Sequence, residues 1–143
     1  MGNSEVKNDF KFFGSFEKML NKTKRSILII ENDENILDNL SQRFQKVGLL
    51  PLTAKDGYEG YVRACNEQPD FIISESLLPS MTGFRIARLL KFDERYKNIP
   101  FILLSDNDLV SSNNIFSSSG ADKILKKPFK FSELLESIGL TTA

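Results

Sequence analysis

Residues 69–91 read PDFIISESLLPSMTGFRIARLLK, and the two halves of this stretch follow different periods. Phe71 to Ser74 is a short, continuous apolar run of the kind that forms a strand buried on both faces. From Phe84 to Phe92, Ile86, Leu89 and Leu90 return at helical spacing and predict an amphipathic helix. A buried strand that leads into such a helix is the repeating half of a parallel βα fold. It leaves one acid, Glu75, at the carboxyl end of the strand.

The same alternation extends in both directions. Ile27 to Ile30 and Leu50 to Thr53 upstream, with Phe101 to Leu104 and Lys123 to Leu125 downstream, bring the predicted strands to five. Asn35 to Lys46 places Ile36, Leu37, Leu40, Phe44 and Val47 on one helical face and stops at Gly48. Tyr58 to Glu67 carries Tyr61, Val62 and Cys65 ahead of Pro69. Leu109 to Ser118 carries Val110, Ile115 and Phe116, and Ser132 to Ile138 carries Leu134, Leu135 and Ile138. Ser111 to Ser119 is rich in serine and asparagine, which weakens the helix predicted there.

Strands apolar on both faces that alternate with helices require a parallel sheet covered on both sides. Right-handed crossovers then reduce the options to a doubly wound, five-stranded α/β fold. Ligands of such sheets bind at the carboxyl ends of the strands. Glu31, Asn32 and Asp33 follow the first strand, Glu75 the third, Ser105 and Asp106 the fourth, and Lys127 with Pro128 the fifth. Given the common flavodoxin-like strand order, two or three acids, a hydroxyl and a lysine are predicted to share one crevice.

Composition narrows the chemistry. The 143 residues are 41% hydrophobic and 27% charged, the usage of one ordinary domain, and 19 basic side chains balance 19 acidic ones. Zero net charge argues against nonspecific nucleic-acid binding, which normally needs a clearly basic domain. No apolar run approaches the roughly 20 residues of a bilayer span, and MGNSEVKNDF has no hydrophobic signal core, so no membrane association and a cytoplasmic location are expected. Gly2 is not read as a myristoylation site, because Val6 stands where Ser or Thr belongs. With no histidine the chain lacks the commonest general base and metal ligand, which sets aside catalytic triads, zinc sites and histidine phosphotransfer within it. The single cysteine, Cys65, cannot form an internal bridge and is read as a core residue.

Residues 1–25 stand outside the alternation as an N-terminal extension. Phe10, Phe13, Phe16 or Glu17, and Leu20 fall at roughly helical spacing, so Asn8 to Asn21 is read as a short amphipathic helix. It is read as a helix docked on the domain or a frayed leader, or else as a segment that binds a partner, a second copy of the chain included.

Four segments carry a family resemblance: SILIIENDENI (26–36), the stretch at 69–91, IPFILLSD (99–106) and GADKILKKPF (120–129). Together they resemble the receiver domain of two-component response regulators, from about Ser26 to Leu140. The resemblance implies a CheY-like (βα)5 fold over residues 26–140. In ordinary members an aspartate at the end of the third strand accepts a phosphoryl group from a histidine kinase. Acids after the first strand hold Mg²⁺, a Ser or Thr after the fourth meets the phosphoryl oxygens, and a lysine after the fifth neutralises them. The family's usual interaction surface corresponds here to Leu109 to Ile138, with Phe116, Lys123, Lys126 and Phe131 as candidate partner contacts.

The sequence departs from that pattern at four places. Glu75 stands at the phosphoacceptor position, where its extra methylene carries the carboxylate about 1.5 Å further into the space of a phosphoryl group. In-line transfer tolerates little misplacement. Asn32 replaces the second acid after the first strand, so a Mg²⁺ site built on Glu31, Asn32 and Glu75 is expected to be weak or absent, and Asp33 usually points elsewhere in the family. Asp106 puts a negative charge where the family prefers a small residue, and Ile124 replaces the usual switching aromatic. Ser105 and Lys127 keep the pattern, with Lys127–Pro128 expected cis and Lys127 expected to pair with Glu75.

These features predict an atypical receiver, or pseudo-receiver. It would be a protein-binding signalling module that meets a kinase or output protein, escapes control by ordinary aspartyl phosphorylation, and is not an enzyme. Other readings stay open: a Mg²⁺-dependent phosphoacceptor of a phosphorelay, or a metal-dependent hydrolase of another doubly wound family, which would have neither a histidine nor an aspartate nucleophile here. The acids at the strand ends are also the residue types that cap helices, Asn32 or Asp33 for the helix near Asn35. Lys123, Lys126 and Lys130 read as a solvated face rather than a basic patch, since zero net charge offers no wider field.

Overall fold

The computed structural model describes residues 24–106 and 117–140. Five parallel strands, β1 (Ser26–Ile30), β2 (Leu50–Ala54), β3 (Phe71–Glu75), β4 (Phe101–Ser105) and β5 (Lys123–Lys126), form one sheet in the order β2-β1-β3-β4-β5. Helices α1 (Glu34–Lys46), α2 (Gly57–Glu67), α3 (Gly83–Lys91) and α4 (Phe131–Ser137) accompany them. The leader helix expected from Asn8 to Asn21 lies outside the described residues. So does most of the helix expected from Leu109 to Ser118; its two described residues, 117 and 118, are helical, as is 119 beyond it.

The apolar runs are continuous because both faces of the sheet are covered. Ile27, Ile29, Phe71, Ile73, Ile102 and Leu104 point to one side, where Leu37, Leu40 and Phe44 of α1 and Leu134 and Leu135 of α4 close over them. Leu28, Ile30, Ile72, Phe101 and Leu103 point to the other, against Ala64 of α2 and Ile86, Ala87 and Leu90 of α3. Successive strand residues thus feed alternate cores, as the two-residue period demands. The two edge strands depart from the expectation of full burial. β2 is mostly half-buried and both lysines that bound β5 are exposed, since an edge strand has a neighbour on one side only.

The helices bury narrower stripes than their sequence patterns suggest. Ile36 and Val47 of the predicted first face, Val62 of the second and Leu89 of the third all stand at least one-third exposed. The reason is geometric: a helix on a flat sheet seals only the residues within roughly 100° of its contact line. In α2 the buried residues are the small Gly57, Gly60 and Ala64; Gly60 lies against Ile30 of β1 and Gly57 against the Met81 backbone of the loop before α3, close approaches that a β-carbon would block.

Each of the first three helices begins at a side-chain cap, which fixes where the crevice loops end. Asp33 Oδ1 accepts the Asn35 and Ile36 amides at 2.9 and 3.2 Å, Asp56 Oδ1 accepts Glu59 at 2.8 Å, and Thr82 Oγ1 accepts Arg85 at 3.2 Å. Replacing such a cap costs about 1 kcal/mol, so these residues hold loop geometry as well as helices.

Candidate functional site

The strand order reverses between β1 and β3, and the crevice opens above their carboxyl ends with β4 and β5 along its other side. Glu31, the first residue past β1, is buried at 4% exposure. Its Oε1 accepts the Asp33 backbone N–H at 3.1 Å, while Oε2 is buried with no hydrogen-bond partner among the described residues. Burial raises its pKa above the ordinary glutamate value, against the opposing pull of the Asp33 hydrogen bond and the Lys127 charge. Asn32 is exposed, and Asp33 turns away to cap α1.

Glu75 ends β3 at 8% exposure, and its carboxylate pairs with the ammonium of Lys127, which reaches over β4 from the end of β5. The backbone sets this reach: the Lys127 N–H donates to the Ser105 carbonyl at 2.9 Å, and the Lys127–Pro128 peptide is cis, as the resemblance implied. Burial works against the lysine's charge. The hydrogen bond to Glu75 and the charges of Glu75, Glu31 and Asp106 outweigh it, so the pKa is raised above the ordinary lysine value. Ser105 is fully buried, its hydroxyl donating to the Asp106 carbonyl at 3.2 Å, and Asp106 itself is exposed.

Of the residues singled out in the sequence, Glu31, Glu75 and Lys127 therefore meet in one electrostatic unit, with Ser105 beneath and Asp106 at the rim. Asn32 is exposed, and Asp33 joins the unit only through its backbone N–H to Glu31, its carboxylate capping α1. Ile124 is half-buried against the core on the α2 and α3 side. Among the candidate partner contacts, Lys123 and Lys126 are exposed and Phe116 lies outside the described residues. Phe131 is half-buried, edge-on to Phe44 at 5.0 Å and under the Arg43 guanidinium at 5.5 Å.

The loop after Glu75 is held by residues that the sequence reading passed over. The Ser74 hydroxyl donates to the Glu75 carbonyl at 2.9 Å, and the Ser76 hydroxyl donates to the Leu104 carbonyl at 2.8 Å. The Gly83 N–H returns to the Ser76 carbonyl at 2.8 Å. A β-carbon at Gly83 would stand 2.2 Å from the Glu75 carbonyl oxygen, so only glycine lets α3 begin there. Farther along, Ser80, in the left-handed region at φ 66°, accepts the Tyr58 N–H and donates to Asp56, tying the loop to the start of α2. The signal that could have found Gly83 is its place between the cap-forming Thr82 and the first apolar residue of the helix.

The Mg²⁺ of ordinary receivers would fall to Glu31, Asn32 and Glu75, and these donors suit it poorly. Mg²⁺ takes a near-octahedral set of oxygens and is bound mainly through carboxylates. Here one carboxylate is matched by Lys127, the second is buried with a raised pKa, and the third side chain is an exposed amide. Among the described residues no group of three or more His, Cys, Asp or Glu is arranged to hold a metal. The Oε2 of Glu31 has no hydrogen-bond partner among the described residues, and the Lys127 charge, itself paired with Glu75, acts on this carboxyl only electrostatically.

Comparison with known proteins agrees with this fold. The chain is 36% identical over 109 residues to the DNA-binding dual master transcriptional regulator RpaA of Synechocystis, covering 76% of this chain and 45% of that protein, so it spans about half the relative's length. It is 28% identical over 112 residues to Protein PilG of Pseudomonas aeruginosa, covering 78% of this chain and 83% of that protein. The chemotaxis response regulator CheY4 of Vibrio cholerae superposes with a TM-score of 0.73 at 28% identity, over 80% of this chain and 96% of that one. The receiver domain of a signal transduction histidine kinase from Syntrophus aciditrophicus gives 0.75 at 28% identity, over 80% and 86%. Among the described residues no helix is long and apolar enough to cross a membrane. The response regulator receiver domain family matches residues 27–139, nearly the whole span from β1 past α4, and the chain belongs to that family.

Proposed function

We propose that this receiver is a protein-binding signalling module whose state is set without ordinary aspartyl phosphorylation. The observation that carries this reading is the pairing of Glu75 with Lys127. In an ordinary receiver the lysine neutralises a phosphoryl group on the shorter aspartate. Here the longer side chain brings a permanent carboxylate to the lysine. A pair that needs no phosphoryl donor biases the population towards one state, and it does so only to the extent that it interacts differently with the two states. The partner is another protein of a signalling pathway, a kinase or an output protein, and the chain catalyses no turnover of its own. Mg²⁺ is bound weakly or not at all. The name of the Synechocystis relative assigns it DNA binding, but that protein is more than twice the length of the matched stretch, so the name gives no reason to place a DNA-reading surface on this domain.

A second reading, a Mg²⁺-dependent phosphoacceptor, draws support from the retained Ser105 and Lys127, from the unpartnered Glu31 oxygen and from the family itself. A backbone amide NMR titration with Mg²⁺ and then beryllofluoride separates the two, the chain having no tryptophan to report the crevice. The proposal expects no saturable shift at Asn32, Glu75, Ser105 or Lys127. Shifts that saturate with Mg²⁺ and deepen with beryllofluoride would overturn it in favour of phosphoryl chemistry.

A further inference from the structure

Away from the crevice, the outer side of α3 and the turn after it border an open hollow of about 930 Å³. Leu89 and Phe92 supply its apolar floor at 37% and 69% exposure, Phe92 being the most exposed large hydrophobic among the described residues. Three guanidiniums, those of Arg85, Arg88 and Arg95, surround them. Two are held in place. Arg88 lies over the Phe92 ring at 5.2 Å and donates to the Ser118 carbonyl at 2.8 Å, while Arg95 lies over Tyr96 at 4.9 Å and is bound by Asp93. The Phe92 ring is propped against the turn into β5, where Gly120, at φ 76°, leaves room for it: a β-carbon there would stand 3.2 Å from the ring. The side chain thus lies on the surface beside this turn.

The charges around the hollow do not cancel. Asp93 is taken by Arg95 and Glu94 by Lys97, and among the described residues neither Arg85 nor Arg88 has a carboxylate partner. Exposed aromatic and arginine side chains side by side are the usual anchors of protein interfaces, and a planar guanidinium prefers a carboxylate as its partner. We propose that the α3 face docks an acidic segment of another protein, one with an apolar side chain for the Leu89 and Phe92 floor and carboxylates for Arg85 and Arg88. A symmetric contact with a second copy would set this arginine cluster against itself. The chain's own residues 1–23 carry four lysines against three acids and so lack the complementary charge. The proposal stands apart from the state of Glu75, because it concerns a surface that shares no residue with the crevice.

The test titrates the full chain, isotopically labelled, with two synthetic peptides that share a Leu-Phe pair, one flanked by glutamates and the other by glutamines. The expected result is amide shifts confined to residues 85–95 and 118–121, with the glutamate peptide at least ~10-fold tighter and weakened as salt is raised. Arg85→Glu, which breaks no side-chain hydrogen bond or ion pair among the described residues, should weaken it ~10-fold or more, and Phe92→Ser likewise. Shifts centred elsewhere, equal affinity for the two peptides, or no saturable binding up to about 1 mM would each overturn the proposal. So would a concentration-dependent dimer that Phe92→Ser abolishes, which would make a second copy the occupant.

Discussion

Lys127 and Glu75 form an ion pair that bridges the ends of β5 and β3 above β4, and the two partners are unequally buried, the lysine side chain at 27% exposure and the glutamate at 10%. Removing the more exposed partner strands the more buried charge. Lys127→Met should therefore lower stability by about 1–3 kcal/mol, seen as a lower urea midpoint, with Glu75→Gln costing less. Unchanged midpoints in both variants would mean that the pair has no energetic weight.

Glu31 should give the domain an unusual acid profile. Its pKa is raised in the fold, chiefly by burial, so the folded protein holds this proton more tightly than the unfolded chain. Its contribution to stability is then fully present below the ordinary value of 4.5 and is lost as pH rises through the raised folded value. Ordinary paired carboxylates behave in the opposite way. Denaturation of Glu31→Gln beside the parent, at about pH 4 and about pH 7, should find the difference moving in the variant's favour as pH rises. A difference that stays constant, or moves the other way, would contradict the assignment.

The strands were legible because a doubly covered sheet leaves no polar alternation to confuse the pattern. The five apolar runs each match an observed strand to within one or two residues. The helix faces were less so. Ile36 and Leu89 sit at spacings that suit a wide apolar stripe, and only the flatness of the sheet decides that they stay outside. In the crevice, Glu75 and Lys127 could be paired in advance because the receiver resemblance sets an acid and a lysine at these two strand ends. The orphaned oxygen of Glu31 could not, since which carboxylate oxygen meets the Asp33 amide is settled by the turn into α1. Gly83 escaped notice for a similar reason: its constraint comes from the Glu75 carbonyl, eight positions earlier in the chain.

Gly83→Ala tests that constraint. A methyl group 2.2 Å from the Glu75 carbonyl oxygen forces either α3 or the end of β3 to move. The expected cost is about 1–3 kcal/mol, measured as a fall in Tm. The amides of Glu75 and Lys127 should shift as well, because the backbone that presents the ion pair is what gives way. A fall in Tm with no change at those amides would place the strain in α3 alone.

The strongest chemical prediction concerns recovery of the ordinary site. Glu75→Asp withdraws the carboxylate by about one methylene, ~1.5 Å, and leaves the Lys127 ammonium without its present partner. Asn32→Asp restores the missing negative donor beside Glu31. Because Mg²⁺ is bound mainly through carboxylates in a strict octahedron, the double variant should bind it at least ~10-fold more tightly than the parent, with Glu75→Asp alone in between. The same variant should then respond to beryllofluoride at Ser105 and Lys127, with Asp106 at the rim opposing the added charge. A parent chain that binds Mg²⁺ as tightly as the double variant would show that the glutamate and the asparagine leave the metal site intact. The reading of Glu75 as a built-in charge in place of a transferred one would then fail.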